Sequence, residues 1–223
     1  MGDMIPSYGS LSRYDVNRPG WEAIRQTLYD FTAYAAAGQT QLSFFALPVG
    51  QGGKTLSDTN LTLAGQLPAN QEFLIQSIEV QFQPTVPAVA TQNPAVFGAE
   101  AIAQIVNDVY LVSRTGNLTM TIGSKPYLQE APLGRFPGKT RMRVDTALSD
   151  VAPAVPAPNL QSRVAFAYTE GRPYLLSPAN LRLVSSQNFS ISLNWPEGVQ
   201  ALPSTNPGRI GVILDGILYR RSQ

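Results

Sequence analysis

Residues 189–195 read FSISLNW, with Phe189, Ile191, Leu193 and Trp195 alternating with Ser190, Ser192 and Asn194. Successive side chains of a strand point to opposite faces, so this spacing specifies a strand with one dry and one wet face. The period recurs at NLTMTI (117–122), where Leu118, Met120 and Ile122 alternate with Asn117, Thr119 and Thr121. It recurs at TRMRVDTAL (140–148), where Met142 and Val144 alternate with Arg141, Arg143 and Asp145. A period of two does not fit a helix, so these stretches commit the chain to β-sheet. Gly and Pro, 18 of each in 223 residues, cut the chain into short pieces.

Further strands are predicted at QTQLSFFALPV (39–49), LTL (61–63), EFLIQSIEVQF (72–82), RVAFAYTE (163–170) and LRLVSS (181–186). In EFLIQSIEVQF, Leu74, Ile78, Val80 and Phe82 share a face interrupted by Gln76, with Phe73 and Ile75 opposite. The first half is apolar on both faces, so coverage from both sides is expected there. WEAIRQTLYDFTAY (21–34) carries two signals. Trp21, Ile24, Leu28 and Phe31 fit helical spacing, while the β-branched and aromatic content from Thr27 favours strand. A helical turn leading into a strand is the expectation. In FGAEAIAQIVNDVYLVSR (97–114) the apolar spacing predicts a short helix near 98–107, with DVYLVS turning into strand. Arg114-Thr-Gly116 reads as a hairpin turn, 123–139 as a long irregular loop, and Pro/Ala-rich 151–159 as a surface loop. RIGVILDGILYRR (209–221) holds Asp215-Gly216 between apolar runs, the two-residue hairpin signal. Eight to ten short strands, one short helix and long Pro/Gly-rich loops predict an all-β fold, a sandwich or jelly roll. A single domain over 21–223 is expected, preceded by 1–20, which read either as a frayed terminus or as an extended arm that orders on contact.

Composition narrows the chemistry. The chain has no Cys and no His, which removes thiol nucleophiles, disulfides, Cys/His zinc sites, the Ser-His-Asp triad and histidine acid–base catalysis. Net charge is +1 and only 14% of residues are charged, far from a nucleic-acid footprint. Near-neutral proteins associate readily. The N-terminus lacks the basic start and apolar run of a signal peptide, and Pro6 breaks the myristoylation pattern. No stretch reaches the ~18–20 apolar residues of a membrane span.

Each candidate motif has a plain structural reading. Glu72 and Glu79 differ by an odd number, so on a regular strand they face opposite sides and make no catalytic pair. Asp58-x-Asn60, and Asp145 with Asp150, lack the EF-hand spacing and read as turn residues. GKT (138–140) lacks the Gly a phosphate loop requires, since Leu133 holds that position. The Asn60, Asn117 and Asn188 glycosylation triplets read as products of strand alternation. The chain is therefore expected to be no enzyme, with no cofactor, no metal and no small-molecule substrate. Arg outnumbers Lys 13 to 3, and Arg is favoured at protein interfaces.

The Pro-containing arm (1–20), QTQLSFFALPVGQGG (39–53), AGQLPANQEFLIQSIEVQF (64–82), NFSISLNWPEGVQALP (188–203) and RIGVILDGILYR (209–220) together resemble a jelly-roll capsid protein of a small tailless icosahedral bacteriophage. The resemblance covers most of the chain. It implies a viral jelly roll of two four-stranded sheets and a capsid subunit that self-assembles through its arm, loops and sandwich edges. The implied partners are copies of itself and other capsid proteins, with an internal membrane or packaged genome as further options. The implied place is the virion, assembled in the host cytoplasm. Candidate assembly contacts are Tyr8, Tyr14, Trp21, Tyr127, Phe136, Arg141, Arg143 and Arg220. Alternative readings are a minor virion protein, such as a spike or vertex protein, and a carbohydrate-binding β-sandwich module.

Overall fold

A computed structural model describes residues 20–85, 99–150, 160–176, 181–185, 187–198 and 200–222. In chain order the elements are β1 (Trp21–Tyr34), β2 (Gln41–Phe44), β3 (Gln71–Pro84), α1 (Ala99–Arg114), β4 (Asn117–Ile122), β5 (Lys125–Glu130), β6 (Thr140–Asp150), β7 (Leu160–Glu170), β8 (Tyr174–Leu175), β9 (Leu181–Val184), β10 (Phe189–Asn194) and β11 (Gly208–Arg221). One sheet runs β1-β11-β3, with β8 and β9 both pairing β3. A second runs β2-β10-β4-β5, and β6 with β7 forms a separate two-stranded ribbon. Every pairing is antiparallel. The pairs nest: β1 with β11, β2 with β10, β3 with β9, β4 with β5.

The first two sheets pack face to face as a β-sandwich. Leu28, Tyr34, Phe73, Ile78, Val212 and Leu214 of one sheet share a buried cluster with Phe44, Leu118, Met120, Ile191 and Leu193 of the other. The alternation at 189–195 and 117–122 is realised residue by residue. Ile191 lies between Phe44 and Met120, and Leu193 between Leu42 and Leu118. Trp195 follows, packed edge-on to Tyr34 with ring centroids 5.6 Å apart.

The Asp215-Gly216 hairpin does not form. β11 runs unbroken from Gly208 to Arg221 between β1 and β3. Gly216 lies outside the left-handed region that a type I′ turn requires. It is glycine because a Cβ there would lie 2.0 Å from the Leu74 carbonyl oxygen. That close approach marks a β-bulge: Asp215 opposes Ser77 but Gly216 opposes Ile75, leaving Gln76 extra. The bulge reverses the facing of β3. Phe73 and Ile75 point inward before it and Ile78 after it. The double-sided apolar pattern at 72–78 is therefore one core face with its phase shifted, not a strand covered on both sides.

Other expectations are also corrected. β1 is strand throughout, because β11 fixes all 14 of its residues in register, from Trp21↔Arg221 to Tyr34↔Gly208. Of its buried residues, Leu28, Asp30 and Tyr34 keep the two-residue period, while Phe31, on the opposite face, is covered by the Arg209 guanidinium at 4.5 Å from its ring centre. α1 continues through DVYLVSR, since Asp108 and Val112, one helical turn apart, are both buried. Residues 114–116 join helix to strand, and Gly116 leaves room for the Trp195 indole, which a Cβ would meet at 2.8 Å. Residues 61–63 form only an isolated bridge, Leu63↔Gln66. The expected irregular loop 123–139 contains β5 and a 3-10 turn at Leu133–Arg135.

Candidate assembly surfaces

The outer face of the four-stranded sheet carries no charged residue at its paired positions. Gln41 and Ser43 (β2), Ser190, Ser192 and Asn194 (β10), and Asn117, Thr119 and Thr121 (β4) align across it. Gln129 and Pro126 of β5 continue the rows beside Thr119 and Thr121. Asn194 Nδ2 donates to Asn117 Oδ1 and to Ser192 Oγ, each at 3.2 Å. Small neutral groups lose far less than charges do when a second surface removes their water. Tyr127 is the extra residue where β5 slips against β4, and its side chain is half exposed.

The outer face of the larger sheet is charged and internally paired. Asp215 is buried, accepting from Arg25 Nη2 at 3.2 Å and from Lys139 Nζ. The Lys139 N–H donates to Glu79 Oε2 at 2.8 Å, and the Lys139 carbonyl accepts from Gly171 N–H at 2.6 Å. Lys139 thus ties the root of the β6–β7 ribbon to two carboxylates on neighbouring strands. Beside it, Thr27, Tyr29, Phe31, Glu79, Gln81 and Ile213 border an open cavity of about 380 Å³. Glu72 and Glu79 share this outer face, contrary to the odd-spacing expectation, because the bulge lies between them. They are still roughly 20 Å apart along β3, against ~5–10 Å for a glycosidase pair.

Burial pushes the Asp215 carboxyl up, but Lys139 and Arg25 outweigh it and hold it below the ordinary aspartate value. A carboxylate depressed on folding stabilises the protein above its unfolded pKa and stops doing so as pH falls through the folded value. Asp215→Asn is therefore expected to flatten the loss of thermal stability below pH 4. An unchanged acid limb in melts from pH 7 to 2 would refute this.

The loop between β2 and β3 covers half of the β1 edge. Asn60 Oδ1 accepts from Tyr29 N–H at 3.1 Å, Asn60 Nδ2 donates to the Thr27 carbonyl at 2.7 Å, and Phe31 N–H donates to the Asp58 carbonyl at 2.7 Å. The Asp58 carboxylate accepts from Thr55 N–H and Oγ1, each at 2.9 Å, and is lowered chiefly by those bonds. Asp58 and Asn60 thus act as turn and edge-capping residues. Under the loop, Asp30 is 1% exposed, with Lys54 Nζ on Oδ1 and Phe45 N–H on Oδ2 at 2.5 Å. The loop's outside presents Leu47, Val49, Leu56 and Leu63 to solvent.

The described members of the eight candidate contacts do not converge on one site. Tyr8 and Tyr14 lie outside the described residues, as does the rest of the expected arm through residue 19. Trp21 opens β1 under the Arg221 guanidinium, 5.8 Å from its ring centre. Arg220 Nε donates to Glu22 Oε2 at 2.8 Å across the strand pair. Arg141 and Arg143 are on β6. Phe136 lies in the core, fully buried with its ring tilted against Tyr174 at 4.8 Å between centroids, and its carbonyl accepts from Val80 N–H at 2.9 Å. The expectation missed the exposed loop leucines and the Asp30–Lys54 anchor. For the anchor, an acid at an inward-facing strand position was the available signal.

Among the described residues no group of three or more acidic side chains is placed to hold a metal ion, and no helix is long and apolar enough to cross a membrane. Comparisons with family models, curated proteins and solved structures find no match to this chain.

Proposed function

We propose that this chain is a jelly-roll structural protein, a virus capsid subunit whose work is to associate with copies of itself and with other capsid proteins. The observation that carries the reading is the nesting of strand pairs, β1 with β11, β2 with β10, β3 with β9 and β4 with β5. A ribbon of four antiparallel pairs rolled into two sheets gives this order, the jelly-roll arrangement of many capsid domains. The uncharged outer face of the smaller sheet and the exposed leucines of the β2–β3 loop support association. Glu79, the carboxylate lining the cavity, is engaged in a structural contact with the Lys139 N–H. In this reading the protein acts in the virion, over a genome and, in lipid-containing particles, a membrane.

Deleting residues 1–20 is expected to leave a folded protein that forms no particles. Light scattering on the full chain should report shells or discrete oligomers. Normal particles from the truncated chain would exclude the arm as the assembly element, and a full-length chain that stays monomeric and binds saccharide would overturn the reading. That second reading, a carbohydrate-binding module, is favoured by Tyr29, which lines the cavity with Glu79 and Gln81. A minor spike or vertex protein shares the same fold physics and separates from a shell protein by its copy number in particles.

A further inference from the structure

The ribbon of β6 and β7 belongs to neither sheet of the sandwich. Its strands have 11 residues each and, among the described residues, pair only with one another. At about 3.3 Å per residue the ribbon is roughly 35 Å long. Two strands alone are marginal in water and need a further strand or a packing surface. An open edge is a template for such a strand, and natural edges are commonly blunted by charged side chains or Pro. β6, TRMRVDTALSD, has no Pro, and its central charges, Arg143 and Asp145, are of opposite sign, so they admit a partner strand that sets them against each other. α1 lies against β7, and among the described residues no strand pairs with the other edge of β6.

We propose that two copies join β6 to β6 across a twofold axis at Val144, giving one four-stranded antiparallel sheet of order β7-β6-β6-β7. The sequence is self-complementary in this register. Val144 meets Val144 of the second copy, Met142 meets Thr146, and Arg143 meets Asp145, each pair occurring twice by symmetry. Opposite charges facing across a strand pair stabilise it, and like charges destabilise it. Moving the axis one residue sets Arg143 against Arg143 or Asp145 against Asp145, so charge selects the Val144 register. The ribbon's own register aligns Val144 with Phe166, Met142 with Tyr168 and Thr146 with Val164. By strand alternation these positions share one face. The joined sheet would therefore carry a continuous, largely apolar strip across four strands. The inference rests on the self-assembly reading and gives it a specific contact.

The chain has no cysteine, so Val144→Cys introduces the only thiol. Opposed antiparallel residues lie about 4.5–5.5 Å apart at Cα, within disulfide range. Mild oxidation should give a disulfide-linked dimer as the main species, while Ser57→Cys on the exposed β2–β3 loop stays monomeric. Arg143→Asp and Asp145→Arg should each weaken self-association about tenfold or more, and the double variant should restore it. Circular dichroism first establishes that each variant is folded. A monomeric Val144→Cys protein, or a double variant as weak as the singles, overturns the proposal. Particles without the cross-link would overturn this contact alone, and a cross-linked dimer that never grows larger would overturn only the shell reading.

Discussion

Gly216→Ala should lower stability by about 3 kcal/mol or more, a fall in Tm of roughly 6–12 °C for a chain of this size. The added methyl would sit 2.0 Å from the Leu74 carbonyl oxygen and 3.0 Å from the Phe73 ring. The carbonyl belongs to the backbone of β3 at the bulge, so it moves only if the β3–β11 ladder moves. Gly211→Ala supplies the contrast. Its methyl would meet the Phe31 ring at 2.1 Å, and a side chain can rotate away at lower cost. Calorimetry of both variants checks the order. A Gly216→Ala protein melting within 2 °C of the parent would mean that the bulge is not a fixed feature of the fold.

Asp30→Asn is the second large effect. It leaves the Lys54 ammonium, whose side chain is only 13% exposed, without a counter-charge. Breaking a buried ion pair from one side costs about 3–5 kcal/mol. Lys54→Met added to Asp30→Asn should recover most of the loss, because both charges are then gone while the introduced amide oxygen can still accept from Phe45 N–H. Lys54→Met alone carries a pH signature. Burial already raises the Asp30 carboxyl, against the pull of Lys54 and of the Phe45 N–H. Without Lys54 it rises further. An acid raised on folding favours the folded state fully below its unfolded pKa, and that advantage disappears as pH climbs through the folded value. The Lys54→Met penalty should therefore be smaller near pH 4 than at pH 7. Denaturant titrations at both pH values decide it; a larger penalty at pH 4 would reverse the assignment.

Asp215 and Asp30 each meet a lysine, yet their carboxyls shift in opposite directions. Asp215 has two cations on an open face, with Arg25 and Lys139 side chains 72% and 46% exposed. Asp30 has one cation under a loop, where desolvation prevails.

Strands with a strict alternation were legible in the sequence because each is read by one face of one sheet. β4, β9 and β10 are of this kind. The misreadings come from contacts distant in sequence. Asp215-Gly216 has the local form of a turn, but Leu74, on another strand, makes the glycine necessary. The helical spacing of Trp21, Ile24, Leu28 and Phe31 gives way to a 14-residue register with β11. Phe136, in a stretch without periodicity, is buried against Tyr174, far along the chain. The assembly surfaces were the least legible part. Whether Leu56 is exposed depends on how a loop lies over β1, and local sequence does not encode that.

The position of β11 also orders events on the ribosome. Among the described strands it comes last in sequence, yet it is the middle rung between β1 and β3, both completed long before it. Until β11 emerges, two 14-residue strands wait with open edges and the larger sheet lacks its centre. Such long-range pairing is slow and leaves sticky intermediates. A chain stopped before residue 208 cannot assemble the larger sheet as described. Synthesis through β11 is thus a precondition for the larger sheet and for every surface that sheet presents.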